Sequence, residues 1–259
     1  MPIARHKMLP NIHQNPLGNQ VAITYVSPSS AALAATFIDT VRALNNGADA
    51  IAIQADVAAL DSPSHIVDAC LAAFGPTIDI LINNAGTAGP TPILATTTTG
   101  PPATIADYDR IMNLNVRGVF FLTQAVAPHL PKIGGGSGGG RIINIGSTIA
   151  RKGAAQSGVY AASKAAVEAM TRAWAVELGI SGHTVNTVTP GPTETETLAE
   201  WMQLPAVQEE MEGVRRGTAM EGRLGKVEEV AAVIVALAEP QMTWVTGQTV
   251  SASGGYTTL

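Results

Sequence analysis

Short runs rich in Val and Ile alternate with segments of helical periodicity along most of the chain, and this alternation narrows the possible folds more than any other feature. Such apolar runs are typical of strands buried on both faces of a parallel sheet. They lie at residues 21–26, 50–54, 78–82, 141–145, 184–188 and 248–251. Helices are predicted at about 30–46, 61–74, 104–130, 158–180 and 226–238. Strands and helices that alternate in this way predict an α/β fold, a doubly wound parallel sheet with helices on both faces.

Charge and hydropathy argue against several classes of function. The chain carries 15 Lys and Arg against 20 Asp and Glu, so it lacks the basic excess that nucleic-acid binding requires. The longest uncharged stretches are rich in Asn, Pro, Gly, Ser and Thr, unlike a membrane span of about 20 apolar residues. Cys70 is the only cysteine, which excludes an intrachain disulfide. With no apolar signal segment at the start, we expect a cytoplasmic protein that interacts with neither membranes nor nucleic acid.

Tyr160 and Lys164 lie four residues apart in a predicted helix, so both side chains project from one face. A tyrosine hydroxyl ordinarily titrates near 10, and a neighbouring cation favours its ionised form. Lowering the pKa of Tyr160 by about 3 requires about 4 kcal/mol, which a partly buried lysine and a positively charged cofactor could supply. The spacing alone is a weak signal, because an exposed helical pair has the same pattern.

Further polar motifs follow the predicted strands at their carboxyl ends, the edge where open α/β sheets bind ligands. Ser147 follows the strand at 141–145, and Asp56 and Val57 follow the strand at 50–54. Asn-Asn-Ala-Gly at 83–86 and Pro-Gly at 190–191 close two more strands. Because these edges coincide in a parallel sheet, we expect the motifs to form one site.

Taken in chain order, these motifs resemble those of the short-chain dehydrogenase/reductase family over roughly residues 21–257. The resemblance rests on Asn-Asn-Ala-Gly at 83–86, Asn-Val-Arg-Gly at 115–118, Ser147 thirteen residues before Tyr160, Tyr-x-x-x-Lys at 160–164, Pro-Gly at 190–191 with Thr193 and Thr195, and the segments 222–231 and 245–255. It is strongest to the ketoreductase branch, which includes 3-oxoacyl-carrier-protein reductases and fungal hydroxynaphthalene and polyketide reductases. The resemblance implies a single-domain, Rossmann-like sheet.

The resemblance also implies a catalytic group of Asn115, Ser147, Tyr160 and Lys164. Tyr160 would donate a proton to a substrate carbonyl as hydride arrives from a nicotinamide. Ser147 would stabilise the developing charge on the same oxygen. Lys164 would lower the pKa of Tyr160 and bind the nicotinamide ribose, and Asn115 would hold a water that relays protons to Lys164.

The remaining residues that the resemblance implies would bind the cofactor, and none would bind a metal. They are Asp56 and Val57 at the adenine, Asn84 at the adenosine side, Thr193 and Thr195 at the carboxamide and phosphate, and Arg117 as a further contact. Ser27 and Ser29 follow the strand at 21–26, where an acid would accept a ribose 2′-hydroxyl. Because this chain has hydroxyl groups and no acid there, we expect NADP(H) rather than NAD(H).

The family's opening unit, a strand, a glycine-rich loop and a helix that holds the pyrophosphate, is degenerate or absent in this sequence. Residues 1–20 form an atypical N-terminal segment with one glycine, and residues 21–26 correspond to the family's second strand. Loss of the central first strand would leave backbone groups unpaired on two neighbours, at about 1–3 kcal/mol for each buried group. Three explanations remain open: a misassigned or differently spliced N-terminus, a shift of residues 21–26 into the central position with residues 27–30 replacing the glycine loop, or loss of cofactor binding.

Residues 21–259 are expected to form one domain with a substrate lid at about 193–225. The lid is apolar and contains methionines, which indicates either a hydrophobic ketone substrate or ordinary packing of the lid on the body. Small residues along the helix at 158–180 and the low charge favour a homodimer or homotetramer.

The leading hypothesis is therefore an NADP(H)-dependent oxidoreductase that reduces a ketone of a hydrophobic small molecule, with a secondary metabolite as one candidate. The alternative is a cofactor-deficient binding or assembly subunit of the same fold, without redox activity. A third, smaller possibility is epimerisation or dehydration by the same tyrosine.

Overall fold

A computed structural model describes residues 19–95, 100–131, 139–203 and 205–258 of the chain; most of the N-terminal segment at 1–20 lies outside these ranges. The strands are β1 (Gln20–Tyr25), β2 (Asp49–Gln54), β3 (Ile80–Asn83), β4 (Arg141–Ile145), β5 (Thr184–Pro190), β6 (Thr193–Glu194), β7 (Gly225–Lys226) and β8 (Thr249–Ala252). The helices are α1 (Ala31–Arg42), α2 (Ser62–Phe74), α3 (Ile105–Met112), α4 (Val119–Val126), α5 (Ile149–Lys152), α6 (Gly158–Gly179), α7 (Glu196–Trp201), α8 (Pro205–Gly217) and α9 (Val227–Ala238). The order confirms the α/β fold.

The principal strands form two parallel sheets in place of the single sheet expected from the sequence. One contains β1 and β2, the other contains β3, β4, β5 and β8 in that order, and β6 pairs only with β7. Within the described ranges, β1 and β3 therefore each have one edge without a strand partner. One of the three explanations required residues 21–26 to lie beside β3, in the central position. In the described residues β1 pairs with β2 alone, in a different sheet from β3, so this explanation is not met.

The free edge of β3 is accompanied by an uncovered apolar face. Leu81 faces the main core, where it is buried with Ile142 and Val185. Ile82 points to the opposite face and is 44% exposed, although its partner in register on β4, Ile143, is 1% exposed. The difference arises because α9 packs on β4, β5 and β8 and covers Ile143.

Two predicted helices differ from the structure in extent. The segment at 104–130 is divided into α3, a π-helical segment (Asn113–Gly118), α4 and a short 3₁₀ turn. Helix α1 ends at Arg42, before the predicted end at about residue 46, because Asn45 already adopts a left-handed φ of 50°. In the described part of the chain, no helix is long and apolar enough to cross a membrane.

Candidate active site

Ser147 is held at the carboxyl end of β4 by the end of β5. Gly146 N donates to Val188 O at 2.8 Å, and Thr148 N donates to Pro190 O at 3.2 Å. A Cβ built on Gly146 would lie 2.8 Å from two threonine methyl groups of β5, so a side chain there would force the strands apart. The Ser147 hydroxyl is buried and accepts a hydrogen bond from Ile149 N at 3.2 Å. Its position is thus fixed by the backbone on both sides.

Tyr160 and Lys164 project from the first turns of α6, which packs on β4 and β5. The Ser147 side chain lies close enough to the Tyr160 hydroxyl to lower its pKa as a hydrogen-bond partner. Lys164 Nζ donates to Ile145 O at 2.8 Å and lies 5.9 Å from the centroid of the Tyr160 ring. The structure therefore brings together Ser147, Tyr160 and Lys164, as the motif order predicts.

Burial controls the titration of both α6 side chains. It raises the pKa of Tyr160 above its ordinary 10, and the hydrogen bond with Ser147 acts in the opposite direction. It lowers the pKa of Lys164 from 10.5 to about 8, and this side chain is 5% exposed. The causes of the Tyr160 pKa shift in the protein alone are burial and Ser147, and the lowering of the Tyr160 pKa by Lys164 stays a prediction for the protein with its cofactor. Tyr160 accordingly keeps its proton near neutral pH, as a proton donor must.

Asn115 lies in the π-helical segment and is fully buried. Its Oδ1 accepts from Thr87 N at 2.8 Å, and its Nδ2 donates to Thr87 O at 2.9 Å and to Ser163 Oγ at 3.0 Å. The side chain thus joins the loop after β3 to α6. A Cβ on Gly86 would lie 3.3 Å from both Asn115 Oδ1 and Lys164 Nζ, so the Asn-Asn-Ala-Gly backbone runs directly beside these two groups.

The loop after β2 contains Asp56 and Val57 and is held by two side chains, Asp56 within the loop and Arg117 from the π-helical segment. Asp56 Oδ1 accepts from Ala58 N at 2.9 Å. Arg117 donates to Ala58 O at 2.7 Å, so in the structure this guanidinium supports the loop. Gly118 permits the approach of the π-helical segment, since a Cβ there would lie 2.7 Å from Val57 O.

The two serines after β1 are exposed and bonded to each other. Ser27 Oγ lies 2.6 Å from Ser29 Oγ and accepts from Ser29 N at 3.2 Å. Ser30 occupies the N-cap position of α1 without a side-chain hydrogen bond. Both Ser27 and Ser29 therefore follow the carboxyl end of β1, but neither is held against the residues around Tyr160 by a direct hydrogen bond.

The residues after β3 and β5 complete the list of predicted contacts. Asn84 follows β3 and is exposed. Thr193 Oγ1 donates to Gly191 O at 2.9 Å, which stabilises the turn after β5. Thr195 caps α7 by accepting from Leu198 N at 3.1 Å. Both threonine hydroxyls are thus already engaged in local hydrogen bonds.

Sequence reasoning missed the residues that support the site from behind. Arg110 of α3 donates to Thr87 Oγ1 at 2.9 Å and to Ala88 O at 3.2 Å, which holds the loop after β3. Arg151 of α5 donates to Glu168 Oε2 of α6 at 2.8 Å. The sequence offers one weak signal for such supporting contacts, the position of Ser163, which bonds to Asn115, directly before Lys164. The contacts of Arg110 and Arg151 join segments that are distant in the chain, so no sequence pattern indicates them.

The residues fit two ends of a nicotinamide dinucleotide. At one end Lys164 Nζ and Asn115 Oδ1 lie beside the Gly86 backbone, and at the other end the loop after β2 presents Asp56 at the surface. Within residues 19–95, 100–131, 139–203 and 205–258, no strand precedes β1, so the family's strand–loop–helix cradle for the pyrophosphate is not found there.

Comparison with known proteins gives concordant results. A family model described as enoyl-(acyl carrier protein) reductase matches residues 14–257. Dehydrogenase OXI1 of Cochliobolus heterostrophus is 44% identical over 240 residues, covering 93% of this chain and 98% of that protein. The hydroxynaphthalene reductase-like protein Arp2 of Metarhizium anisopliae is 34% identical over 220 residues, covering 82% and 77%. A blue fluorescent protein from a metagenomic library, solved in complex with NADPH, is 32% identical with a TM-score of 0.78, covering 94% and 100%.

Proposed function

Because this chain belongs to the short-chain dehydrogenase/reductase family of oxidoreductases, we propose that it reduces a ketone of a hydrophobic small molecule to an alcohol with NADP(H). The observation that carries the proposal is the arrangement of the buried Ser147 and Lys164 beside the partly buried Tyr160, with Asn115 fixed behind them. Four side chains of these types at one sheet edge match the requirements of carbonyl reduction.

In this proposal a bound nicotinamide supplies hydride to the substrate carbonyl carbon. Tyr160 holds the proton that the carbonyl oxygen receives, and its raised pKa keeps that proton in place at neutral pH. The Ser147 hydroxyl donates a hydrogen bond to the same oxygen and stabilises its negative charge. Lys164, with a pKa of about 8 and its ammonium group 5.9 Å from the centroid of the Tyr160 ring, would be suited to restore the proton of Tyr160. Asn115 fixes the loop that faces these groups.

The preference for NADP(H) is supported by the chain and by its relatives. Ser27 and Ser29 present exposed hydroxyl groups after β1, and no acid stands there to repel a 2′-phosphate. The metagenomic blue fluorescent protein was solved with NADPH. The other contacts that we propose for the cofactor are Asp56, Val57, Asn84, Arg117, Thr193 and Thr195, with Tyr160 and Lys164 at the nicotinamide ribose.

We propose residues 193–225 as the lid over the substrate. Helices α7 and α8 bring together an apolar cluster of Met211, Val214 and Leu224, with Leu198 and Met202 packed against it. An apolar lid with flexible methionines suits a hydrophobic ketone of irregular shape. The similarity to a hydroxynaphthalene reductase-like protein supports aromatic or polyketide-derived ketones as candidates.

A homodimer or homotetramer is supported by the exposed face of α4 and α6. Phe120 and Phe121 are exposed on α4, and Val176 of α6 is exposed as well. Ile180, directly after α6, extends the same apolar surface. Apolar patches of this kind mark interaction sites between proteins. We therefore propose that a second copy of the chain covers this face.

Titration of the full chain with NADPH and NADH, followed by nucleotide fluorescence and thermal melting, tests the proposal. Saturable binding of NADPH should stabilise the fold by about 2.7 kcal/mol at 100 times the Kd. A panel of aromatic ketones then tests turnover, which Tyr160→Phe should abolish with the fold retained. Full activity in Tyr160→Phe would refute the mechanism.

A cofactor-deficient binding subunit is the second candidate, and the free edges of β1 and β3 favour it. It predicts a well-folded chain without affinity for either nucleotide. The same titration separates the two candidates, because nucleotide binding contradicts the second and its absence contradicts the first.

A further inference from the structure

The last residues of the chain form a folded turn beside the proposed lid. We call residues 253–257 the tail. Tyr256 N donates to Ser253 O at 3.0 Å, and Thr257 N donates to Ser253 Oγ at 3.3 Å. Gly254 and Gly255 adopt left-handed φ values of 60° and 78°, a conformation that glycine adopts without strain. The tail therefore has a defined shape and presents the Tyr256 ring in one direction.

On one side the tail contacts the lid. The Tyr256 ring packs against the cluster that contains Met211 and Val214 of α8. Met220 N donates to Gly254 O at 2.8 Å, so the residues after α8 are bound to the tail backbone as well. Movement of α8 would consequently displace the Tyr256 ring.

On the other side the tail contacts the segment that carries Ser147. Lys152 Nζ lies 3.5 Å from the centroid of the Tyr256 ring, within the range of a cation–π interaction. Lys152 is the last residue of α5, which begins two residues after Ser147. The preceding residue, Arg151, is paired with the buried Glu168 of α6. The four-residue helix is thus fastened to α6 through Arg151 and to the tail through Lys152.

We propose that Tyr256 is a positioning residue that couples closure of the lid to the position of the Ser147 segment through Lys152. The inference rests on the proposed function, since it assigns the lid and Ser147 to one substrate site. The contact exists only while the ring lies over the ammonium group, and it therefore favours the lid position seen in the structure. The contact should therefore strengthen the binding of a compact ketone that requires this lid position. It should not strengthen the binding of a bulky ketone that holds the lid outward.

Hydrogen exchange of the full chain tests the coupling without reference to activity. The variants are Lys152→Met, Tyr256→Leu and their combination, with Tyr256→Phe as the matched control that keeps the ring. Lys152→Met and Tyr256→Leu should each accelerate exchange in both 149–153 and 207–217 by about two- to five-fold, the range expected for an exposed cation–π contact. The double variant should exchange no faster than the faster single variant, and Tyr256→Phe should match the unaltered chain. Acceleration confined to one segment, or effects that multiply in the double variant, would overturn the coupling.

Steady-state kinetics with NADPH tests the consequence for substrates, with butane-2,3-dione as the compact probe and 2-tetralone as the bulky one. Tyr256→Leu should raise KM for the compact probe by about two- to five-fold with kcat retained, and should leave KM for the bulky probe unchanged. A lowered kcat with unchanged KM would overturn the positioning role. Absence of turnover in the unaltered chain would count against the proposed function alone, because hydrogen exchange decides the coupling independently.

Discussion

Replacement of Lys164 by methionine should stabilise the fold and at the same time abolish the proposed turnover. Lys164 is 5% exposed, and none of the ion pairs in the described residues includes it. Its ammonium group donates to Ile145 O at 2.8 Å, which compensates only part of the lost hydration. The pKa of Lys164, lowered to about 8, reflects the remaining free-energy cost of burying the charged group.

The magnitude follows from the pKa. A fall from 10.5 to about 8 corresponds to a penalty of about 3 kcal/mol for the charged lysine at pH 7. Methionine has a similar length and keeps the packing, but it loses the hydrogen bond to Ile145 O, worth about 1 kcal/mol. Lys164→Met should therefore gain about 2 kcal/mol of unfolding free energy, or about 4–8 °C in Tm for a chain of this size.

The stability gained by Lys164→Met should depend on pH, and the direction of this dependence follows from the pKa shift of Lys164. Because the folded-state pKa lies below the unfolded one, the unfolded chain holds more protons between about pH 8 and 10.5. The stability of the unaltered chain consequently rises with pH across this window relative to the variant. The advantage of Lys164→Met should be full at pH 7 and should shrink towards zero near pH 10.

Urea unfolding of both chains at pH 7, 8, 9 and 10 measures the difference. Lys226→Met is the matched control, because Lys226 is exposed and the same substitution there should change stability little at any pH. A folded Lys164→Met chain that is less stable at pH 7, or a difference that does not vary with pH, would refute the argument from burial.

Three further predictions test the packing around the site. Gly118→Ala should destabilise the fold by about 2 kcal/mol and weaken nucleotide binding, measured by urea unfolding and NADPH titration, because a Cβ would lie 2.7 Å from Val57 O in the loop after β2. Ile143→Ala should cost about 3 kcal/mol in thermal unfolding and Ile82→Ala less than about 1 kcal/mol, since only the former is covered by α9. Glu168→Ala should lower the free energy of unfolding by about 2 kcal/mol and should lower kcat, because it releases α5 from α6. Glu168→Gln should lower both quantities less.

The pattern of apolar residues predicted the elements of the sheet to within two residues at most ends. Strand β4 has the predicted bounds, 141–145, because successive side chains point to opposite faces of the sheet and both faces are covered, so that none of them is exposed. The expectation that Ser147 lies near Tyr160 came from the order of the motifs, because Ser147 follows β4 whereas Tyr160 lies in α6, which packs on β4 and β5. The first success thus depends on local periodicity and the second on the resemblance to a known family.

The remaining features depend on contacts between distant segments, which local periodicity does not encode. Asn115 has the sequence context of an ordinary helix, yet its buried hydrogen bonds to Thr87 and Ser163 accompany a π-helical segment. The contact between Lys152 and Tyr256 joins an exposed lysine to the tail and leaves no sequence pattern. The sequence predicted that loss of the family's first strand would leave backbone groups unpaired on two neighbouring strands. It did not predict that the strands would separate into two sheets.

A buried polar network explains how the site is held together beside an open sheet edge. Asn83 of β3 donates to Asn144 Oδ1 of β4 at 2.7 Å and to Thr123 Oγ1 of α4 at 3.0 Å. Asn144 donates to Thr171 of α6 at 2.8 Å, and Thr171 lies 2.7 Å from the hydroxyl of Thr187 on β5. Because buried amide and hydroxyl groups are costly when unpaired, a shift of β3 or α6 would break several bonds at once. The network therefore fixes the three strands whose carboxyl ends bear Asn84, Ser147 and Thr193. Within the part of the chain that the structure describes, it does so without a strand paired to the free edge of β3.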